Sequence, residues 1–328
     1  DIGPVARKIE VACTFLDIED MIALRAGLGA VNEITVFLAA KEEGRYPVLR
    51  GLAQGVESFP EITGHIDTIL DRYGKIKDSA SPELYTIRRT IRDREGQVSK
   101  RLQAILSKAQ KDGYADADAA VSIRDGRAVI PVSAANKRKI NGFIHDESAT
   151  GKTFYIEPVE IVEINNELKE LEYAERREVV RILTAFTDRI RPDAPGIARA
   201  GEYLACMDMI RAKARWAAEN ECVKPVLSEE GTLWLRSARH PLLRQTLGRE
   251  GKQVVPLDLK LDRGRRMLVI SGPNAGGKSV CLKTVGLLQY MFQCGFPVPV
   301  LENSEFPVFD GIFIDIGDEQ SIDNDLST

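Results

Sequence analysis

The chain has 328 residues, with 45 Lys and Arg against 49 Asp and Glu for a formal net charge of −4. That length suggests about two domains. With 44% hydrophobic and 29% charged residues, the composition excludes a disordered or collagen-like chain and a globally basic nucleic-acid coat, though not a local basic patch.

Residues 1–75 read as helical. Phe15, Ile18, Met21, Ile22 and Leu24 begin an apolar stripe that continues through Leu28, Val31 and Ile34, at spacings that share one helix face. Gly44, Pro47, Gly51, Gly55 and Pro60 interrupt it before a short helix from Ile62 to Tyr73. Ser81-Pro82-Glu83 is a helix start: a hydroxyl N-cap, a proline at the first helical position and an acid in the first turn. The helix predicted from there runs to about Lys111, where Asp112-Gly113 stops it, roughly 45 Å at 1.5 Å per residue. Leu84, Ile87, Ile91, Val98, Leu102 and Ile105 form a coiled-coil-like seam along it. A second long helix is predicted from Pro158 to Arg191-Pro192, with Ile161, Ile164, Leu168, Leu171, Val179, Ile182, Phe186 and Ile190 on one face. Residues 78–111 hold eight basic and four acidic side chains, and residues 157–191 hold six and nine, for net charges of +4 and −3. Similar lengths, matching seams and opposite charge predict an antiparallel hairpin of long helices.

Between the two helices the pattern turns β-like, in Arg127–Val132, Gly142–His145 and Thr153–Ile156, so a small β module is expected at the tip of the arm. More helix is expected over residues 194–220, then strands at Thr232–Leu235, Val254–Leu257 and Met267–Ile270. The five cysteines (Cys13, Cys206, Cys222, Cys281, Cys294) are odd in number and form no C-x-x-C pair. They argue for a reducing, cytoplasmic setting rather than a disulfide scaffold or zinc finger. No apolar run approaches the roughly 20 residues of a membrane helix, and Asp1, without a signal peptide, reads as the start of an internal piece of a longer chain.

The chemistry concentrates in Gly272-Pro273-Asn274-Ala275-Gly276-Gly277-Lys278-Ser279, a match to G-x-x-x-x-G-K-[ST]. A β-type run enters this loop and a helical run (Val280, Leu282, Val285, Leu287, Leu288) leaves it, the context a phosphate-binding loop requires. Glycines let backbone N–H groups approach phosphates, and the helix N-terminus adds its dipole. Lys278 is expected at the β- and γ-phosphates of a nucleotide and the Ser279 hydroxyl on Mg²⁺. Gly311-Ile312-Phe313-Ile314-Asp315 looks like an apolar strand ending in a metal-binding aspartate. Only 49 residues follow Ser279 (328 minus 279), however, too few to complete an ordinary nucleotide-binding domain, so a solvated aspartate is the favoured reading.

Several stretches together resemble the MutS family. They are Ser271–Ser279, the upstream Ala238-Arg239-His240-Pro241-Leu242-Leu243, and Phe313-Ile314-Asp315-Ile316-Gly317-Asp318-Glu319-Gln320-Ser321. The tip segments Arg127–Val132, Gly142–Asp146 and Phe154–Pro158 agree, as does Ile164-Asn165-Asn166-Glu167-Leu168. The likeness is to the second bacterial branch, the paralogue that usually carries a C-terminal Smr nuclease domain, and it spans nearly the whole chain. It implies a mixed fold: an α-helical core (1–80 and 193–222), long antiparallel lever helices (81–112 and 158–192), a small β clamp-like tip (113–157) and the N-terminal half of an α/β ABC-type P-loop ATPase domain (223–328). It also implies ATP and Mg²⁺ as ligands and a homodimer in which the segment from Asp315 to Thr328, a signature loop, meets the partner subunit's nucleotide through Ser327 and Thr328. No catalytic residue is then expected within the chain, because the acids that complete hydrolysis belong further on, as does the nuclease domain.

The remaining candidates keep two readings each. The basic run Lys137-Arg138-Lys139 with Lys152 is either a nucleic-acid phosphate contact or a solvated face. The basic face of the first long helix (Arg88, Arg89, Arg92, Arg94, Lys100, Arg101) is expected to pair largely with the acidic second helix. His240 either contacts nucleotide or is structural. His145 beside Asp146 and Glu147 is either a metal or acid–base group or, more simply, a solvated turn. Val254 or Val255 either packs on adenine, by analogy with the family, or belongs to the core. The function implied by the resemblance is an ATP-driven clamp on nucleic acid or nucleoprotein. It would act by suppressing recombination on branched DNA or by splitting collided ribosomes through rRNA. A coiled-coil structural ATPase of the chromosome-organising type is the alternative, but there the phosphate loop precedes the coil. A small-molecule P-loop kinase has no use for the arm.

Overall fold

Asp17 accepts the Asp20 backbone N–H at 2.9 Å while the Asp20 carboxylate reaches back to the Asp17 N–H, a reciprocal cap that opens the first long helix. In the computed structural model, which describes residues 2–273 and 277–315, helix α1 (Gly3–Glu10) precedes this helix, α2 (Ile18–Ala39), and α3 (Pro47–Ala53) and α4 (Pro60–Ile69) follow. One expectation is corrected here. α2 is 22 residues long with a most apolar 18-residue window of mean hydropathy 1.4, long and apolar enough by length and composition to cross a membrane. One face of it buries Met21, Leu24, Leu28 and Val31 in contact with α1 and α4.

The chain divides into two compact units, residues 1–204 and 205–328. In the first, helix α5 (Pro82–Lys111) and helix α6 (Val159–Ile190) lie antiparallel. Their cross-links run in opposite directions along the two helices: Ser81 to Glu178, Arg88 to Glu175, Arg94 to Glu167 and Arg101 to the Glu160 carbonyl. Ser81 caps α5 by accepting the Leu84 N–H at 3.0 Å and donates its own hydroxyl to Glu178. Arg88 and Arg92 also share Asp78. Apolar burial is concentrated at the two ends of the arm: Leu84 and Ile87 with Ile182, Leu183 and Phe186 at one, Val98, Leu102, Leu106 and Ala109 with Ile161 and Ile164 at the other. Between these clusters the cross-arm ion pairs supply the contact.

At the far end stands a four-stranded antiparallel sheet in the order β1-β2-β4-β3, from β1 (Ser122–Arg124), β2 (Arg127–Ser133), β3 (Gly142–Glu147) and β4 (Thr153–Pro158). Strand alternation sends Ile130, Val132 and Ile156 to one face, where they join the distal core of the two helices.

Helix α7 (Ala194–Glu219) crosses the division between the units. The second unit has a small mixed sheet in the order β5-β8-β6-β7, from β5 (Val226–Leu227), β6 (Leu233–Ala238), β7 (Leu257–Leu261) and β8 (Glu305–Phe306), with helix α8 (Pro241–Arg249) and helix α9 (Lys278–Gln293). Leu235, Leu288, Val298 and Phe306 form its core. Two predicted strands differ. The strand expected at Val254–Leu257 forms instead at Leu257–Leu261, as the antiparallel partner of β6. Met267–Ile270 forms no strand: Met267 and Val269 are each 90% exposed, and no described segment offers this run a hydrogen-bond ladder. Propensity alone does not hold a strand without a neighbour.

Candidate functional site

The G-x-x-x-x-G-K-[ST] segment is described at its two ends. Gly277 caps α9 in a left-handed conformation, φ 78°, which glycine adopts without the steric cost other residues meet. Lys278 is the first residue of this 16-residue helix, and its Nζ donates to the carbonyls of Gly272 and Pro273, both at 2.6 Å. The ammonium is thus parked on the carbonyls of its own loop. Ser279 follows in the first turn, half-buried. An exposed helix N-terminus, a parked ammonium and a first-turn hydroxyl are a donor set that fits a nucleotide phosphate with a divalent ion. Asn274, Ala275 and Gly276 lie outside the described residues, as do Ser327 and Thr328. Asp315 is exposed and belongs to no strand.

His240 is 2% exposed and caps α8, its Nδ1 accepting the Leu243 N–H at 3.3 Å. Burial, helped by nearby Lys283, pushes its pKa below the ordinary histidine value, so it serves as a neutral structural cap here. Val255 is 86% exposed and outside the core.

At the arm tip the structure brings the candidate cations together. The Ala134 N–H donates to the Lys152 carbonyl at 2.9 Å, joining the 134–141 loop to the 148–152 turn. Lys137, Arg138, Lys139 and Lys152 are all exposed. Lys137 lies 4.3 Å above the Phe154 ring. Asn136 ties the loop back to the arm, donating to the Gly113 carbonyl.

Beside this tip lies a buried polar cluster that sequence reasoning missed. Glu157, 1% exposed, accepts from Arg127 Nη1 at 2.8 and 3.0 Å, pairs with His145 Nε2 at 2.6 Å and accepts from Asn165 Nδ2 at 2.7 Å. Burial alone would raise the pKa of this acid. The hydrogen bonds from Asn165, His145 and Arg127 outweigh it and hold the carboxylate below its usual range. A register shift between Ile144 and Asp146 accompanies the turning of His145 to Glu157. Its sequence neighbours have other engagements: Asp146 pairs with Arg124, and Glu147 is exposed. By strand alternation Glu157 falls on the face opposite core-facing Ile156, so the period-2 pattern carried no signal for its burial.

Residues 268–328 match the family model for MutS domain V. That model covers only the last part of the chain, but similarity to the MutS2 relatives below runs along its whole length, and the chain is a member of the MutS family. Within it the chain belongs to the MutS2 branch. It is 37% identical over 330 residues to the "Endonuclease MutS2" of Geobacillus sp. (strain WCH70), covering 100% of this chain and 41% of that protein. It is 41% identical over 295 residues to that of Thermomicrobium roseum, covering 87% and 36%. It is 39% identical over 303 residues to that of Finegoldia magna, covering 92% and 38%. The chain therefore spans about two fifths of the length of the curated relatives it matches.

Proposed function

We propose that this chain is the nucleotide-binding and arm portion of a cytoplasmic, homodimeric MutS-type clamp that grips nucleic acid or nucleoprotein under the control of ATP. The observation that supports this reading most is an exposed cluster of cations at the far end of a long, internally paired arm, in a chain that also carries a phosphate loop. The residues 81–112 and 158–192 act as levers, 113–157 as the clamp tip, and 223–328 as the first half of an ATPase domain.

In this reading Lys278 leaves the Gly272 and Pro273 carbonyls to meet the β- and γ-phosphates, and the backbone N–H groups of Gly272–Ser279, apart from Pro273, which has none, line the phosphate path. The Ser279 hydroxyl would hold a Mg²⁺ ion, which would supply charge neutralisation at the phosphates. Ser327 and Thr328 meet the nucleotide of the partner subunit, so that ATP is shared across the dimer. Closure moves the arms, turning a local phosphate contact into a displacement at the tip. In this reading the chain supplies the ATP-binding loop of the clamp.

Two cellular targets fit: branched DNA, to suppress recombination, and collided ribosomes, through rRNA. Phosphate contacts read backbone charge, which both present. Co-sedimentation of the protein with collided ribosomes, against excess four-way-junction DNA and with Mg-ATP at physiological salt, separates them. Retention by ribosomes that the junction cannot reverse assigns the arm to translation rescue, whereas loss to the junction assigns it to recombination control. Retention by neither contradicts the clamp reading itself.

A further inference from the structure

The tip cations do not stand alone. In the distal half of α5, residues 96–111 contain Lys100, Arg101, Lys108 and Lys111 and no acidic residue. At 100° per residue these four fall within a stripe about 100° wide, on the far side of the helix from buried Val98, Leu102, Leu106 and Ala109. All four are exposed. The structure separates them from the arginines nearer the base of the arm. Arg88, Arg92 and Arg94 are matched with Glu175, Asp78 and Glu167, whereas Arg101 reaches only the Glu160 carbonyl. Lys100, Lys108 and Lys111 have no carboxylate partner among the described residues.

A second acid-free stretch, residues 126–145, carries Lys137, Arg138 and Lys139. It is fastened where α5 ends, by the Ser133 N–H to the Tyr114 carbonyl at 2.9 Å and by Asn136 Nδ2 to the Gly113 carbonyl at 3.2 Å. The α6 side of the same arm segment has the opposite sign: residues 157–172 hold six acids and one lysine, with Glu160, Glu163 and Glu170 exposed. The distal arm is therefore polarised across its width.

We infer that a nucleic-acid backbone lies along the α5 side of the distal arm, held by Lys100, Arg101, Lys108 and Lys111 as well as by the tip, and that the α6 side faces away from it. This rests on the reading of the tip as a nucleic-acid contact. It adds a direction, a footprint and four residues. From Lys100 to Lys111 the stripe is roughly 17 Å long at 1.5 Å per residue, about five base pairs of a duplex at 3.4 Å each. Phosphates, rather than bases, are the chemistry recognised, so duplex DNA and duplex RNA are both bound.

The test compares the full chain with three variants: the stripe (Lys100→Gln, Lys108→Gln, Lys111→Gln), the tip (Lys137→Gln, Arg138→Gln, Lys139→Gln) and the acidic side (Glu160→Gln, Glu163→Gln, Glu170→Gln). Binding to labelled duplex DNA and duplex RNA is titrated over a range of salt, and far-UV circular dichroism checks that each variant stays folded. Each lost phosphate contact lowers the slope of log K against log salt by about 0.9, so the stripe variant should lose about 2–3 units of slope. The acidic-side variant, which changes the charge by the same amount in the opposite direction, should leave the slope unchanged. A tip variant that loses slope beside a stripe variant that does not overturns the inference and leaves the tip reading standing. Loss in the stripe variant alone overturns the tip reading instead. Equal and opposite effects of the stripe and acidic-side variants would show that overall charge, not a located contact, governs binding, and would overturn the inference too.

Discussion

Arg127 Nη1 in β2 donates to both carboxylate oxygens of Glu157 in β4, at 2.8 and 3.0 Å, around an acid that is 1% exposed. Because Glu157 also holds His145 from β3 and Asn165 from α6, and Arg127 reaches Asn166 at 2.8 Å, one carboxylate ties three strands to the first turns of α6. Gly142 is part of this joint. A Cβ there would come within 2.2 Å of the Glu157 carbonyl oxygen, so only glycine lets the two strands close over the acid. The tip and α6 are thereby expected to move as one body, which a clamp needs if motion of the arm is to reach what the tip holds.

Removing one partner of a buried pair leaves the other charge without its counterpart. Glu157→Ala is therefore expected to cost about 3–5 kcal/mol, and the double variant Arg127→Leu, Glu157→Leu much less. Denaturant unfolding of the two checks this. Equal losses would mean that the pair does not act as a unit.

Three acids give the arm a pH dependence of definite sign. Glu157 is held low as described. Glu178 is held low by Arg181, against burial and with help from the Ser81 hydroxyl. Asp78 is held low by Arg88, against burial and with help from Arg92. A carboxylate with a depressed folded-state pKa binds protons more weakly in the native state. Its contribution is full above the ordinary value near 4 and is lost as pH falls through the folded-state values. The melting temperature is expected to hold between about pH 7 and 5 and to fall below about 4, less steeply in Glu157→Gln. Melting curves across that range test it, and a Glu157→Gln profile parallel to the wild type would contradict it.

Ser81 works twice, capping α5 and donating to buried Glu178 at 2.5 Å. Ser81→Ala is expected to destabilise the chain by about 1–3 kcal/mol, more than an ordinary cap, because the acid loses a donor as well. Ser81→Asp keeps a capping oxygen but sets a second carboxylate against Glu178, so it should be no better than alanine. Chemical denaturation of both variants decides the point.

What the sequence made legible follows from where local rules suffice. Ser81-Pro82-Glu83 and Asp112-Gly113 bracket α5 because caps and stops are local chemistry. Charge complementarity between residues 78–111 and 157–191 anticipated the cross-arm ion pairs at Arg88 and Arg94. The Glu157 cluster was not legible, because its members are brought together by strand pairing and a register shift while Asp146 and Glu147 stand nearer to His145 in sequence. The Met267–Ile270 strand was misread because a strand is completed by its neighbours. Of the candidate basic face on α5, sequence alone did not separate cations matched across the arm from those left outward, and the helix register does.

At the phosphate loop, Gly277→Ala places a Cβ on a residue at φ 78°. It is expected to cost about 1–2 kcal/mol from left-handed strain and to weaken nucleotide binding. Lys278→Ala removes the ammonium but leaves α9 intact, so it should abolish binding of a fluorescent ATP analogue with little change in the melting temperature. Undiminished binding by Lys278→Ala would place the nucleotide elsewhere.

The most direct test of an ATP-controlled grip is the dissociation rate of a labelled four-way junction from the intact protein, measured with and without Mg-ATP, for wild type and Lys278→Ala. The account predicts that nucleotide changes the rate severalfold in the wild type and leaves it unchanged in Lys278→Ala. Identical rates with and without Mg-ATP in a wild-type protein shown to bind both ATP and junction would contradict the coupling of phosphate loop to arm.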